Sequence, residues 1–413
     1  MKLRAFKGLR PVKEKVYRVA SRPYDVLNSA EARIEAEGNP DSFLKVVKPE
    51  ISLPVDVDPY SSVVYETGKQ NFQAMLEQGI FFQEEKPCLY IYELIMNGRS
   101  QTGIVGCAAV EDYMNNLIKK HELTRPDKEV DRKHHMRISM MNAEPVFFAY
   151  KADAQLDKVV EKIKNGDPEY AFTADDGIEH KLWLVDNDST INNIIAEFEK
   201  MPASYVADGH HRTAAAAQVG VDLKNENSNH TGEEEYNYFL AVHFPDNQLE
   251  IIDYNRVLED LNGLDNASFL LEISKFFQVE KIDKAVKPGR PHEMGMYLSG
   301  QWYMLKVNTA IVGDEDPIGA LDVTILSRHI LEPILDVHDL RTDKRIEFIG
   351  GIRGLDELER RVDSGNMAVA FAMFPVSMKQ LMTIADKDLI MPPKVTWFEP
   401  KLRSGLVVHS LED

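Results

Sequence analysis

The sequence predicts an α+β protein of more than one domain, and three observations carry that prediction. Leu89 to Val110 alternates about Asn97-Gly98 as a hairpin does. Ala203-Ser204-Tyr205-Val206-Ala207 reads as a strand that leads into a helix of small residues, Thr213 to Val219. From about residue 255 onward, helical segments alternate with hairpins. A length of 413 residues suits two or three domains at about 150 residues each. The divisions fall at 1–100, 101–245 and 246–413.

The elements follow in order. Ser21-Arg22-Pro23-Tyr24-Asp25-Val26-Leu27 is a loop, because the residue before a proline avoids helical backbone. Asn28 or Ser29 caps a short helix that runs through Glu37 and stops at Gly38. A helix spans Ser61 to Gln78 before Gly79. In the first hairpin, Glu93 shares its face with Leu89, Ile91 and Ile95, so its carboxylate is partly buried and bonded nearby. A helical stretch is expected after Glu111-Asp112-Tyr113, ending near Lys120-His121-Glu122. Thr124 then looks like the cap of a helix with Pro126 in its first turn, running to about Met141. Phe172 to Asp186 forms a second hairpin about Asp176-Gly177, and Ile191 to Lys200 a helix. Residues 225–235 are a polar loop, followed by strands Tyr236–Phe244 and Leu249–Asp253 about Asp246-Asn247. Ala267–Phe277 is an amphipathic helix, Gly295–Val307 a hairpin at Ser299-Gly300, Asp322–Leu335 a helix and Ala368–Pro375 a buried strand.

Composition excludes several classes. Lys plus Arg is 48 against 67 for Asp plus Glu, a net charge of -19. Binding polyanions requires net positive surface, so a nucleic-acid partner and an anionic membrane surface are not expected. A small anion needs only a local basic pocket. Two cysteines, Cys88 and Cys107, form neither a disulfide framework nor a zinc pattern. Charge interrupts Met1 to Lys7, which lacks the apolar run of a signal peptide. The expected compartment is the cytoplasm, and a homodimer is left open. P-loop, nucleophile-elbow and zincin motifs are absent.

The strongest chemical signal is Asp208-Gly209-His210-His211-Arg212-Thr213, set between a strand and a helix start. Helix N-termini hold anions through unpaired N–H groups and the dipole. Gly209 lets backbone approach a ligand, Arg212 can fork onto a phosphate, and Asp208 can hold magnesium or act as a base. The plain alternative is Asp208 as a helix cap. A second signal is Lys119 to Arg137, with seven basic and four acidic residues in an acidic chain. It contributes Arg125 and Arg132 as candidate phosphate ligands; a solvated helix laced by ion pairs is the plain alternative. Arg22 with Asp25, and Lys401 with Arg403, are weaker candidates for substrate contacts.

The whole chain resembles the domain-of-unknown-function 1015 family. The segments that carry this are Arg22-Pro23-Tyr24-Asp25-Val26-Leu27, Val110-Glu111-Asp112-Tyr113, His121-Glu122-Leu123-Thr124-Arg125-Pro126, Asp208-Gly209-His210-His211-Arg212 and Trp397-Phe398-Glu399-Pro400-Lys401-Leu402. More distantly, Asp208 to Arg212 is similar to the signature of the free serine kinases, which share the ParB/sulfiredoxin fold. Lys120-His121-Glu122 is similar to their upstream His-Glu pair. The likeness implies a ParB/sulfiredoxin-like core with an insertion at about 140–200, since 85 residues lie between Glu122 and Asp208. It implies phosphoryl transfer between a nucleotide, ADP or ATP with magnesium, and free serine, or the reverse from phosphoserine. Glu122, Asp208 and His210 would then be catalytic, with Asp208 on the metal. Gly209, His211, Arg212, Thr213, Arg125 and Arg132 would hold phosphate, and His121 would touch substrate.

Two rivals remain. A ParB-like nucleotide switch or DNA-partition factor predicts salt-dependent duplex binding. A non-catalytic binding module for an amino acid or small anion predicts thermal stabilisation without product. A sulfiredoxin-like reaction is not expected, because no cysteine neighbours 208–212.

Overall fold

The computed structural model describes residues 1–308, 311–312 and 316–412. They form two units. The first comprises 1–120, 124–249 and 400–413, and the second 121–123 and 250–399.

The first unit is built on a mixed sheet. Its strands are Leu3–Arg4 (β1), Leu89–Met96 (β2), Arg99–Ala109 (β3), Ile118–Lys119 (β4), Val146–Tyr150 (β5), Tyr170–Thr173 (β6), Glu179–Val185 (β7), Ser204–Asp208 (β8) and Tyr238–Pro245 (β9). They lie in the order β4-β8-β5-β9-β3-β2-β7-β6, with β1 also on β3. The hairpins at Asn97-Gly98 and Asp176-Gly177 are as the turn residues require, with positive φ at Asn97, Gly98 and Gly177. Glu93 is buried and bound by Ser100 at 2.7 Å and Lys164 at 2.9 Å. The boundary drawn at 100 falls inside β3, and the segment 140–200 supplies β5, β6 and β7 to this same sheet.

Amphipathic helices Ala154–Lys164 and Asp188–Glu199 close part of one face through Leu156, Val160, Ile191, Ile194 and Phe198 against Leu89, Ile91 and Ile104. Helix His210–Glu226 extends that layer with Ala216, Ala217 and Val219 against Val206 and Phe148. Small side chains there let the helix lie close to the sheet.

Several expectations are corrected. The helix after Ala109 ends at Met114, and the chain turns into β4 rather than staying helical to Glu122. Thr124 is not a cap: the helix is Pro126–Ser139, Arg125 precedes it without a side-chain cap bond, and Thr124 Oγ1 donates to the Glu129 carboxylate. Proline at the first position dispenses with a donor that has no helical acceptor anyway. The helix from Asn28 holds, with a full capping box to Glu31.

The second unit carries an antiparallel sheet of Tyr254–Leu258 (β10), Phe277–Ile282 (β11), Glu293–Leu298 (β12), Gln301–Val307 (β13), Ile346–Gly350 (β14) and Val369–Ala372 (β15). Its order is β11-β13-β12-β15-β10-β14. Helix Asp356–Asp363 packs Leu358 and Val362 onto Val257, Ala370 and Ala372. Ile251–Ile252 pairs with Trp397–Phe398, so it makes no hairpin with β9. The helix expected over 322–335 is α-helical only to Leu326 and then π-helical over Ser327–Leu331. The helix expected to Phe277 stops at Ile273, where β-branched and aromatic residues take over as β11. No helix among the described residues is long and apolar enough to cross a membrane.

Candidate functional site

The site starts with a defect in β8. Val206 pairs with Phe148, but Asp208 pairs with Phe147, a shift of register between the two. Side chains alternate across a strand, so Phe147 and Phe148 point to opposite faces. The bulge therefore turns Asp208 away from the helix-covered face on which Val206 packs. Gly209 follows at φ 86° and ψ 34°, the left-handed region that favours glycine. Helix His210–Glu226 begins at once with no side-chain cap bond. The helix-cap reading of Asp208 is thereby removed.

What Asp208 does instead is gather cations. Lys401 Nζ lies 3.3 Å from Asp208 Oδ2, and Arg212 Nη2 lies 3.7 Å from the same oxygen. Burial alone would raise this carboxyl; Lys401 and then Arg212 outweigh it and hold it at about 2. Arg212 is 5% exposed. It donates from Nη1 to the Pro145 carbonyl at 2.7 Å, and its Nη2 lies 3.9 Å from Asp25 Oδ2. Among the described residues its Nε has no acceptor. A Cβ on residue 209 would meet this guanidinium at 3.1 Å, so Gly209 serves packing as well as conformation.

A second buried arginine stands near. Arg132 pairs with Asp131 at 2.8 Å and lies 4.0 Å over the Tyr24 ring. Its Nη1 is 3.8 Å from Glu144 Oε2. Glu144 also accepts from Tyr24 N at 2.9 Å and Ser404 Oγ at 3.1 Å. Burial raises the Glu144 carboxyl, with Arg212 and Arg132 opposing. Arg132, Glu144 and Arg212 line a cavity of about 20 Å³ together with His135 and Asn142. That is room for roughly one water.

The histidines are not cations here. Burial brings His210 down to about 4, against the pull of Asp208, and lowers His211 as well. Both are neutral at pH 7. His211 Nε2 accepts from the Arg125 backbone N–H at 3.0 Å, which fixes its proton on Nδ1. Thr213 Oγ1 donates to the Gly209 carbonyl at 2.9 Å.

Of the candidates, the first unit thus brings together Asp25, Arg132, Asp208 to Thr213 and Lys401. Three others of the first unit turn to other partners. Arg22 is taken by Glu35. The Arg125 side chain is exposed on Asp127 at 2.8 Å, and only its backbone reaches His211. Arg403 turns to Asp176 and to His180 Nε2 at 3.3 Å. His121 and Glu122 belong to the second unit, where His121 is held by Met391 and Thr396. Glu144 was not anticipated. The one signal for it was an acid directly ahead of the apolar run Val146–Tyr150.

Asp208 is a poor magnesium ligand in this arrangement. Its Oδ2 already faces two cations, which would repel a third. A small anion would meet Lys401, Arg212 and a helix N-terminus here, in competition with Asp25 and Asp208, which already face these cations.

The family described as "Protein of unknown function (DUF1015)" matches residues 3–324. The chain belongs to the DUF1015 family. No curated protein matches it. Among solved structures, this DUF1015 chain is similar to a conserved hypothetical protein from Pyrococcus furiosus, at 12% identity over 74% of this chain and 95% of that one, with a TM-score of 0.35. It is similar to free serine kinase in complex with AMP, at 11% identity over 74% and 91%, TM-score 0.35. It is also similar to C-terminally truncated SbnI from Staphylococcus aureus, at 12% identity over 74% and 87%, TM-score 0.39.

Proposed function

We propose that this chain is a phosphotransferase acting on free L-serine or O-phosphoserine, with a nucleotide as phosphoryl donor or acceptor, on a ParB/sulfiredoxin-like core. The observation that supports it best is Arg212. A guanidinium 5% exposed, with Nε unbonded, stands beside the N-terminus of a 17-residue helix, and Lys401 joins it on Asp208. These features support a phosphate site, and the motif resemblance supplies the reaction class.

Phosphoryl transfer asks mainly for positioning and charge neutralisation. Arg212 and Lys401 provide the charge. Asp208, ionised at every physiological pH, orients both cations. Gly209 lets backbone N–H groups approach the ligand, and neutral His210 and His211 add no charge of their own. A bound nucleotide would supply the phosphoryl group. The resemblance assigns the base to Glu122.

The test is direct. Purified protein is incubated with serine plus ATP or ADP, and with phosphoserine plus ADP, AMP or water. Turnover in one arm is expected. Silence in all arms, with a control kinase active, refutes the proposal. Asp208→Ala and Glu122→Gln should each abolish turnover with circular dichroism unchanged. A second reading, a small-anion binding module, is favoured by the engagement of Asp208 with Lys401 at 3.3 Å and Arg212 at 3.7 Å, which leaves cations and no carboxylate base at the helix start. It predicts a raised Tm with phosphate or AMP and no product.

A further inference from the structure

Arg256, in strand β10 of the second unit, is 1% exposed. It donates from Nη1 to the Tyr254 carbonyl and from Nη2 to the Lys394 carbonyl at 3.0 Å. Its carbon Cζ lies 5.4 Å from the Phe348 ring centroid. Among the described residues no carboxylate pairs with it. Burial lowers its pKa to about 10, with only Tyr254 opposing. Buried cations ordinarily have anions beside them. This one is retained among carbonyls, so its work lies in what those carbonyls belong to.

The Lys394 carbonyl belongs to the segment 391–396, in which Lys394 itself sits at φ 58°. A lysine in the left-handed region needs its surroundings to hold it there. The same segment holds His121. The Met391 N–H donates to the His121 carbonyl at 2.8 Å, and Thr396 Oγ1 lies 3.4 Å from His121 Nε2. The chain of contacts runs from Arg256 through Lys394 to Met391 and Thr396, and so to His121, all within the second unit.

We infer that Arg256 is a positioning residue, which locks the segment 391–396 and through it the His121-Glu122 pair. Its catalytic consequence rests on the proposed base role of Glu122; the mechanical part does not. Arg256→Met replaces the guanidinium by an unbranched apolar chain and frees both carbonyls. Hydrogen exchange of the full chain is the readout. Amides of 391–396 and of 121–123 should exchange faster together, by about tenfold or more, the factor expected when a bond to a charged group is lost. Loosening of 391–396 with 121–123 unchanged overturns the inference, as does no change in either. Should Arg256→Met not fold, Arg256→Lys keeps the charge and one carbonyl contact. It should show the same paired loosening to a lesser degree, and its absence there overturns the inference too. In the same Lys variant, kcat for whichever serine or phosphoserine arm is active should fall with KM unchanged. If no arm is active in the parent, the proposed reaction fails, while the exchange result still decides the role of Arg256.

Discussion

Arg212 in the first unit and Arg256 in the second are both almost wholly buried, and their surroundings are opposite. Arg212 has Asp25, Asp208 and Glu144 around it; against the cost of burial, these raise its affinity for the proton. Arg256 has carbonyls only, and burial weakens its hold on the proton. The contrast shows that burial alone does not define the role of a charge. A guanidinium among carboxylates at a helix start is one member of an ionic set. A guanidinium among carbonyls is a clamp on backbone.

The largest effect that would break this contrast comes from deleting the two charges. Arg212→Met removes a buried cation that Asp208, Glu144 and Asp25 share, and should destabilise by about 3–5 kcal/mol. Arg256→Met loses two carbonyl bonds but also removes an uncompensated ion, so it should cost about 1–3 kcal/mol. Urea unfolding of both variants measures the order, and equal losses would show that the carboxylates around Arg212 do not matter. Next in size is Lys401→Met. With Lys401 gone, Asp208 should titrate at higher pH, read by carboxyl NMR. The sign follows from linkage: a carboxyl held below its unfolded value of 3.8 stabilises above about pH 4, and that stability fades as pH falls toward 2. The variant should therefore lose less stability across that interval than the parent. An unmoved Asp208 would mean that Arg212 alone holds it down. The smallest effect is Arg22→Ala. Its partner Glu35 lies on the surface, so the loss should stay under about 1 kcal/mol and leave phosphate affinity unchanged. A weakened phosphate affinity would return Arg22 to the site.

Much of the local structure was legible. Asn97-Gly98 specifies its hairpin because few other pairs accept two successive positive φ angles, and Gly177 supplies the one positive φ that the second hairpin needs. Asn28 and Glu31 are a capping box three residues apart, readable without any tertiary contact. Thr124 misled for a related reason. A threonine ahead of a proline looks like a cap, but its hydroxyl found the Glu129 side chain instead. The Asp208–Arg212 turn was recognisable because its unusual residues are adjacent.

Other parts could not be read. The bulge that swings Asp208 to the opposite face from Val206 depends on pairing with Val146–Tyr150, some 60 residues away. Lys401 reaches Asp208 across 193 positions. Glu144 joins Tyr24 and Ser404, distant by 120 and 260. By itself, the sequence determined the turns, caps and helix faces, and marked the strand-to-helix junction as chemical, since those properties depend on near neighbours and on backbone angles. Only the tertiary structure decided which cations Asp208 meets, that Arg22 and Arg403 are taken up elsewhere, and that one buried arginine lies among carboxylates and another among carbonyls. Charge acts through space, and the distances that set its strength exist only once the chain has folded.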